Sequence, residues 1–460
     1  MKVIPYGDDL SVYLQCVSGQ DVQSESQLSG AFDYFTSKVS ELTERRLIGL
    51  RDSMAGRFFF AAVYLEDHDD ANRIFRSLNE AGLTLAPTDH IRNNLFMSAG
   101  SSGDALYVAH WEPLERLLVS GDDLLSFLFA EQARQPHLPN AIRKNQLHRV
   151  YAKRFAELGG SAKKMGDYLA GLQKNGTIFK ALREPQLLAQ CGLPNPSKLE
   201  SPIARLNEWS SRPAETSLLD VLVRHRDGEL QLSQATRSLH SVESFLVRRF
   251  LTGEKANLLS RIFTDLVAQF PDPGTYSSRL RAALSHEGHA WPTNQELQRS
   301  VGTVLNFYTQ GSASQRRYIL KQLNSHTLEG KTVKQDEIPL AWPSDLTIEH
   351  VMPQSLDDWW RKTLEQEKAS KGFEESVEEL HEAHVNLLGN LTLARQARNV
   401  QYANKSFPEK LALVNQALPI RLNVELGTGP YKSWGIEAIR KRSQALATLA
   451  CAIWEGPSGR

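Results

Sequence analysis

Apolar residues recur at helical spacing along most of this chain and at strand spacing in only three short stretches. Over 28–54, Phe32, Phe35, Val39, Leu42, Leu47 and Leu50 fall on one helical face, which predicts one long amphipathic helix. Residues 57–65 then form a nearly continuous apolar run bounded by charge, the mark of a strand buried on both faces. Such a strand needs neighbours for its backbone groups, and no partner strand is legible nearby. From 100 to 335 the pattern is helical, clearest at 104–119, 138–158, 217–226, 233–251 and 295–308. No fixed-period repeat or low-complexity tract interrupts it. The signal changes near the end. Leu346, Thr347 and Ile348 lead a β-branched, apolar run that Pro353 stops. A second short strand is predicted at Leu391–Leu393 and a helix from Gln396 onward. Between the strands, 356–382 reads as a charged helical insertion, and 436–454 as an amphipathic closing helix. The fold class expected is mostly α with a small α+β unit at the C-terminal end.

Length, charge and cysteines each narrow the picture. At 460 residues the chain exceeds one core and divides into two or three domains; boundaries are placed at 1–100, 101–335 and 336–460. Lys+Arg and Asp+Glu both number 53, so any surface for nucleic acid must be local. Cys16, Cys191 and Cys451 lie far apart without metal-ligand spacing, as expected of free thiols in a reducing cytoplasm. No apolar run reaches membrane-spanning length, and no signal-peptide core opens the sequence. A cytoplasmic protein without a membrane partner is expected.

Candidate chemistry concentrates in the last third. The first C-terminal strand delivers adjacent Glu349 and His350 to the point where Pro353 stops it, and Asn390 and Asn399 follow on the next two elements. Strand, strand and helix carrying Glu-His and Asn form a metal-dependent nuclease pattern. Cutting a phosphodiester needs an activated water and neutralisation of charge on the phosphoryl and leaving oxygens. A neutral imidazole takes a proton from water near pH 7, which suits His350 as general base. Mg²⁺ prefers oxygen ligands and keeps several waters, so Glu349 and Asn399 suffice as its protein ligands, with Mn²⁺ as the alternative ion. Adjacent strand residues point to opposite faces, so Glu349 and His350 meet on one phosphate only where the strand ends or bends. Arg395, Arg398 and Lys405 flank Asn399 and are the candidates for holding the DNA backbone.

This constellation resembles the HNH (ββα-metal) nucleases. With Trp359, Trp360, Gly389 to Leu393, Ser406, Phe407 and Lys410 added, it is similar to the C-terminal nuclease domain of GmrSD-type, modification-dependent (type IV) restriction enzymes. The resemblance implies that His350 is the base, that Glu349 and Asn399 hold the metal, and that Asn390 orients the loop carrying the histidine. It implies DNA as substrate, modified phage DNA in particular, and leaves open whether a nucleotide gates activity. Glu replaces the usual Asp at the metal position. A second resemblance lies upstream: residues 71–85 with Asp89, Ile91, Arg92, Asn93 and Phe96 are similar to the late motif of the ParB-like nucleotide-binding domain of the same enzymes. Its nucleotide motif, Asp-Gly-Gln-Gln-Arg, does not occur here, and Arg76 stands where an acidic residue is usual. The chain is therefore expected to carry only the tail of that domain, either because the gene is truncated or split or because the start has been placed too late. A separately encoded nucleotide-binding subunit is then an expected partner, and a homo-oligomer is compatible.

Other groups have plainer alternatives. Glu-His and Gly-Asn pairs also occur as structural pairs and turns, which leaves a silent, regulatory or DNA-binding subunit as the rival reading. The cluster Arg143, Lys144, His148, Arg149, Lys153 and Arg154 suits a solvated helix face or the DNA backbone. Arg248, Arg249, Arg316 and Arg317 suit a phosphate or a carboxylate. Trp359 and Trp360 either pack the insertion down or stack on bases, and His381 and His384 read as capping or solvated residues.

Overall fold

A computed structural model describes residues 8–20, 26–59, 86–135, 143–267, 275–326, 342–396, 402, 404–414 and 420–457. The described residues are mostly α-helical, with one two-stranded sheet. That is the mostly-α architecture with a small α+β unit that the hydrophobic pattern implies. No described helix is long and apolar enough to cross a membrane.

The helix expected over 28–54 is two helices, Gln27–Ser40 and Glu44–Arg57. Ser26 and Ser29 close a capping box on the first. The break falls at Glu41–Thr43, where Thr43 is extended (φ −69°, ψ 152°), a conformation typical of a residue preceding a helix. The strand expected over 57–65 starts differently: Arg57 ends a helix, Phe58 and Phe59 are exposed, and the remainder lies outside the described residues, as do 71–85.

Downstream, a buried helix, Leu232–Leu251, organises the packing. Nearly every residue from Ser238 to Arg249 is buried on it, so it is covered on all sides rather than along one stripe. One contiguous cluster of buried residues runs from Ile91 through Phe245 to Trp454 and includes Leu346, Leu391 and Leu393 of the sheet. The sheet therefore stands on the helical body. A second cluster gathers Val351, Met352, Trp360, Leu364, Leu380, Trp434 and Ile439 beneath the strand end.

The two strands are β1 (Leu346–His350) and β2 (Leu391–Arg395). They pair antiparallel, with Glu349 opposite Thr392 and His350 opposite Leu391. The expected insertion between them forms two helices, Asp358–Lys371 and Val377–His384. Gly372 (φ +71°) separates them, with its N–H returned to the Lys368 carbonyl, a left-handed stop that glycine adopts without a Cβ clash. The closing helix is Ile436–Ile453. Its first amides, Ile436 and Glu437, donate to the two oxygens of Glu367 at 2.8 Å each, so the insertion caps the closing helix.

Candidate active site

β1 carries Glu349 and His350 to its C-terminal end, and the two side chains leave toward different neighbours. His350 is 7% exposed. Its Nε2 lies 3.0 Å from Asn386 Oδ1, and the Tyr308 ring meets it edge-on at 4.4 Å between centroids. Tyr308, in the turn Phe307–Thr309, donates its N–H to the Asn386 carbonyl at 3.2 Å, so both partners are tied together. An amide oxygen only accepts, so the ring proton sits on Nε2 and Nδ1 keeps the basic lone pair. Burial pushes the imidazole pKa down to about 4, with the Asn386 bond opposing and Lys410 and His381 adding to the fall. At pH 7 the ring is neutral and able to accept a proton.

Glu349 points into a buried niche beside Thr392, Tyr402, Phe407, Lys410, Leu411 and Leu426. Lys410, on the helix Phe407–Val414, places Nζ 2.7 Å from Glu349 Oε1 and 2.7 Å from the His350 carbonyl oxygen. Burial raises the Glu349 carboxyl pKa against the pull of Lys410, and burial lowers the Lys410 ammonium pKa against the pull of Glu349. The niche retains about 10 Å³ of free volume, room for about one water. A carboxylate is the right donor for Mg²⁺ or Mn²⁺. This one is already neutralised by an ammonium, in a space too small for an ion that keeps its waters. The arrangement described does not fit a hydrated divalent ion on Glu349. Among the described residues no group of three His, Cys, Asp or Glu side chains offers a metal site, and Asn399 lies outside them.

Asn390 is wholly buried and uses every hydrogen-bonding position it has. Its Oδ1 accepts from the Met352 N–H at 2.7 Å and the Trp434 indole at 3.1 Å. Its Nδ2 donates to the carbonyls of Met352 and Val385 at 2.8 Å each. The side chain clamps the turn that follows His350 and has no group left for a substrate. Gly389 beside it is required by close approach: a Cβ there would collide with the Ile439 carbonyl and the Ser443 hydroxyl of the closing helix. Arg442, fully buried on that helix, donates to the carbonyls of Gly389, Leu391 and Leu422 and pairs with Glu425. These parts lie in residues 291–449, which match the model of a known family: GmrSD restriction endonucleases, C-terminal domain. This segment is similar to the C-terminal domain of GmrSD restriction endonucleases. No curated protein matches the chain.

The remaining candidates can be placed on the matched segment. Arg395 ends β2, 53% exposed and paired with Asp345 at 3.2 Å. Lys405 is 44% exposed, 4.0 Å from Glu409. Both are available at the surface, whereas Arg398, like Asn399, lies outside the described residues. Trp360 is fully buried and donates to the Lys405 carbonyl at 3.1 Å, while Trp359 is 38% exposed and packs edge-on against it. Trp360 therefore pins the insertion. His381 bonds the Pro353 carbonyl at 2.7 Å, and His384 lies between the Leu380 carbonyl and Arg440, so both are tied into the scaffold around the His350 turn.

Elsewhere, Arg248 is buried against the carbonyls of Pro292 and Trp454, and Arg249 against those of His289, Ala290 and Lys255. Backbone carbonyls, joined for Arg248 by the Asn294 side-chain oxygen at 2.5 Å, are their partners. Arg316 lies over the Tyr308 ring, 5.3 Å from its centroid. Arg143, Lys144, Arg149, Lys153 and Arg154 are exposed. Sequence reasoning missed Tyr308 and Asn386 as neighbours of His350 and gave Lys410 no role. None of the three sits in a local pattern that announces its contact.

Proposed function

We propose that this chain is a DNA endonuclease of a modification-dependent restriction system, acting on modified phage DNA in the cytoplasm. The observation that carries the reading is His350: neutral at pH 7, held through Nε2 by Asn386 with Nδ1 left basic, within a GmrSD segment. His350 takes a proton from water as the water oxygen bonds to phosphorus and the P–O bond to the leaving oxygen breaks. Asn390 sets the turn that presents the ring. Arg395, Arg398 and Lys405 hold the backbone of the cut strand. The site is of HNH type, in a nuclease unit over 336–460 that follows a helical region over 101–335 and the tail of a ParB-like domain over 1–100. Mg²⁺ or Mn²⁺, with Glu349 and Asn399 as ligands, is the cofactor the family resemblance implies; the Glu349–Lys410 pair as described does not fit it, so this reading routes no step through a metal.

One observation favours a second reading. Glu349 and His350 are each only 7% exposed, as in a subunit that stays silent until a separately encoded nucleotide-binding partner or a second copy of the chain acts on it. Plasmid cleavage by the purified chain, with Mg²⁺ or Mn²⁺ and on unmodified and phage-modified DNA, separates the two. The nuclease reading expects metal-dependent cutting that His350→Ala abolishes without unfolding the protein. Equal cutting by His350→Ala and the parent chain would overturn the role of His350. A folded chain that cuts neither DNA would favour the silent subunit.

A further inference from the structure

We infer that the helix Leu147–Leu158 and the turn before it form a docking surface for the DNA backbone, separate from the candidate active site. The inference rests on the reading of DNA as the substrate. Sequence sets up the charge. Residues 132–156 contain no Asp or Glu, in a chain whose acidic and basic residues balance at 53 each. Arg143, Lys144, Arg149, Lys153 and Arg154 fall in that stretch, and all five are exposed. Packing fixes the way they face. Leu147, Tyr151 and Phe155 are wholly buried along the inner side of the helix, where the Tyr151 hydroxyl donates to the Leu128 carbonyl at 3.1 Å. From the helix Pro87–Ala99 alongside, Asn94 donates to the His148 carbonyl at 3.2 Å. The row of cations therefore stands on a surface already held in place.

Ion pairing sets this surface apart from the rest of the helical region. Arg134, Arg183, Arg205 and Arg224 each meet a carboxylate. Among the described residues of this surface only Arg154 does, with Glu157 at 3.5 Å. Lys144 donates to the Ser126 hydroxyl at 3.0 Å, and Arg143, Lys144, Arg149 and Lys153 have no carboxylate partner among the described residues. On the neighbouring helix, Asp89 is already taken by Arg92. Unpaired cations on one face make a local positive field in a neutral molecule. A run of phosphates is the partner that answers it. From Arg143 to Lys153 the cations cover roughly 15 Å of helix axis, enough to reach across a B-DNA groove of about 6 or 12 Å. An anionic membrane fits less well. A helix lying in a bilayer surface needs an exposed apolar face, and no large apolar side chain is exposed between Arg143 and Leu158.

The test is fluorescence anisotropy of a labelled, random-sequence DNA duplex with the full chain, in EDTA so that binding is read without cutting. The parent is compared with the double variant Arg149→Gln, Lys153→Gln. A charge-matched control, Arg45→Gln with Arg46→Gln, removes two exposed cations from the helix Glu44–Arg57. Each phosphate contact adds about 0.9 to the slope of log K against log salt. The Arg149/Lys153 variant is therefore expected to bind about tenfold or more weakly near physiological salt, with a slope smaller by about 2. The control is expected to match the parent. Phosphate contacts carry no sequence information, so the loss is expected to be equal on unmodified and phage-modified DNA. An independent measurement needs no variant: acetylation of Lys144 and Lys153, followed by peptide mass, is expected to slow when the parent is saturated with duplex. Parent-like binding by the Arg149/Lys153 variant, with acetylation of both lysines unchanged, would overturn the inference and leave DNA as the substrate. Equal weakening in the control would also overturn it, as a general effect of charge. Binding to phosphatidylserine vesicles that only the Arg149/Lys153 variant loses, without loss of duplex binding, would overturn it in favour of a membrane. A parent chain that binds no duplex even at low salt would remove the DNA reading, and the inference with it.

Discussion

Replacing Asn390 by alanine tests whether this residue holds the His350 turn or touches substrate. In the native structure its amide satisfies four buried partners: the Met352 N–H, the Trp434 indole N–H, and the carbonyls of Met352 and Val385. Alanine leaves all four without a partner in a site closed to water. A buried polar group stripped of its hydrogen bond costs roughly 1–3 kcal/mol. Small shifts will relieve some of the four, so a net loss of about 3–5 kcal/mol is expected. That is a large share of the roughly 5–15 kcal/mol that holds a folded domain together. Urea denaturation followed by tryptophan fluorescence measures the loss, and hydrogen exchange of the Met352 amide localises it. Asn390→Asp is the companion variant. It keeps both accepted bonds but sets a carboxylate oxygen against the Met352 and Val385 carbonyls, and it should be no better than alanine. A loss below about 1 kcal/mol with the Met352 amide still protected would refute the clamp and return Asn390 to a direct role in chemistry.

Two further measurements probe the same scaffold. Gly389→Ala forces a methyl against the Ile439 carbonyl and the Ser443 hydroxyl, an overpacking cost of about 1–3 kcal/mol or more; a thermal midpoint equal to the parent's would show that the closing helix gives way freely. His350, with its folded pKa pushed down to about 4 from the usual 6.5, binds fewer protons folded than unfolded in that interval. Its contribution is therefore complete above pH 6.5 and is lost as pH falls toward 4, by about 3 kcal/mol in all. The difference in urea stability between the parent and His350→Gln, measured in EDTA across that range, checks both sign and size. A pH-independent difference would mean that His350 is solvated.

The sequence by itself determined the elements that carry local signals. β-Branched residues at Leu346–Ile348 and the stop at Pro353 marked β1, and the run at Leu391–Leu393 marked β2. Gly372 marked nothing in advance, yet its left-handed conformation is what divides the insertion into two helices. Gly389 was legible as turn chemistry, but it is held by its contact with a helix about fifty residues downstream in the chain. Periodicity across 28–54 pointed to one helix where there are two, Gln27–Ser40 and Glu44–Arg57.

Only the tertiary structure decided what surrounds the candidate catalytic pair. Asn386 and Tyr308 reach His350 from two other elements, and Lys410 reaches Glu349 across 61 residues of chain. Adjacent positions on a strand face opposite ways, so the Glu-His pair that looked like one site enters two environments. The physical reason is general to buried polar groups. Which residues satisfy them depends on packing between distant segments, where each hydrogen bond or ion pair must offset desolvation. Sequence spacing fixes the direction in which a side chain leaves its own element, and packing alone fixes what it meets there.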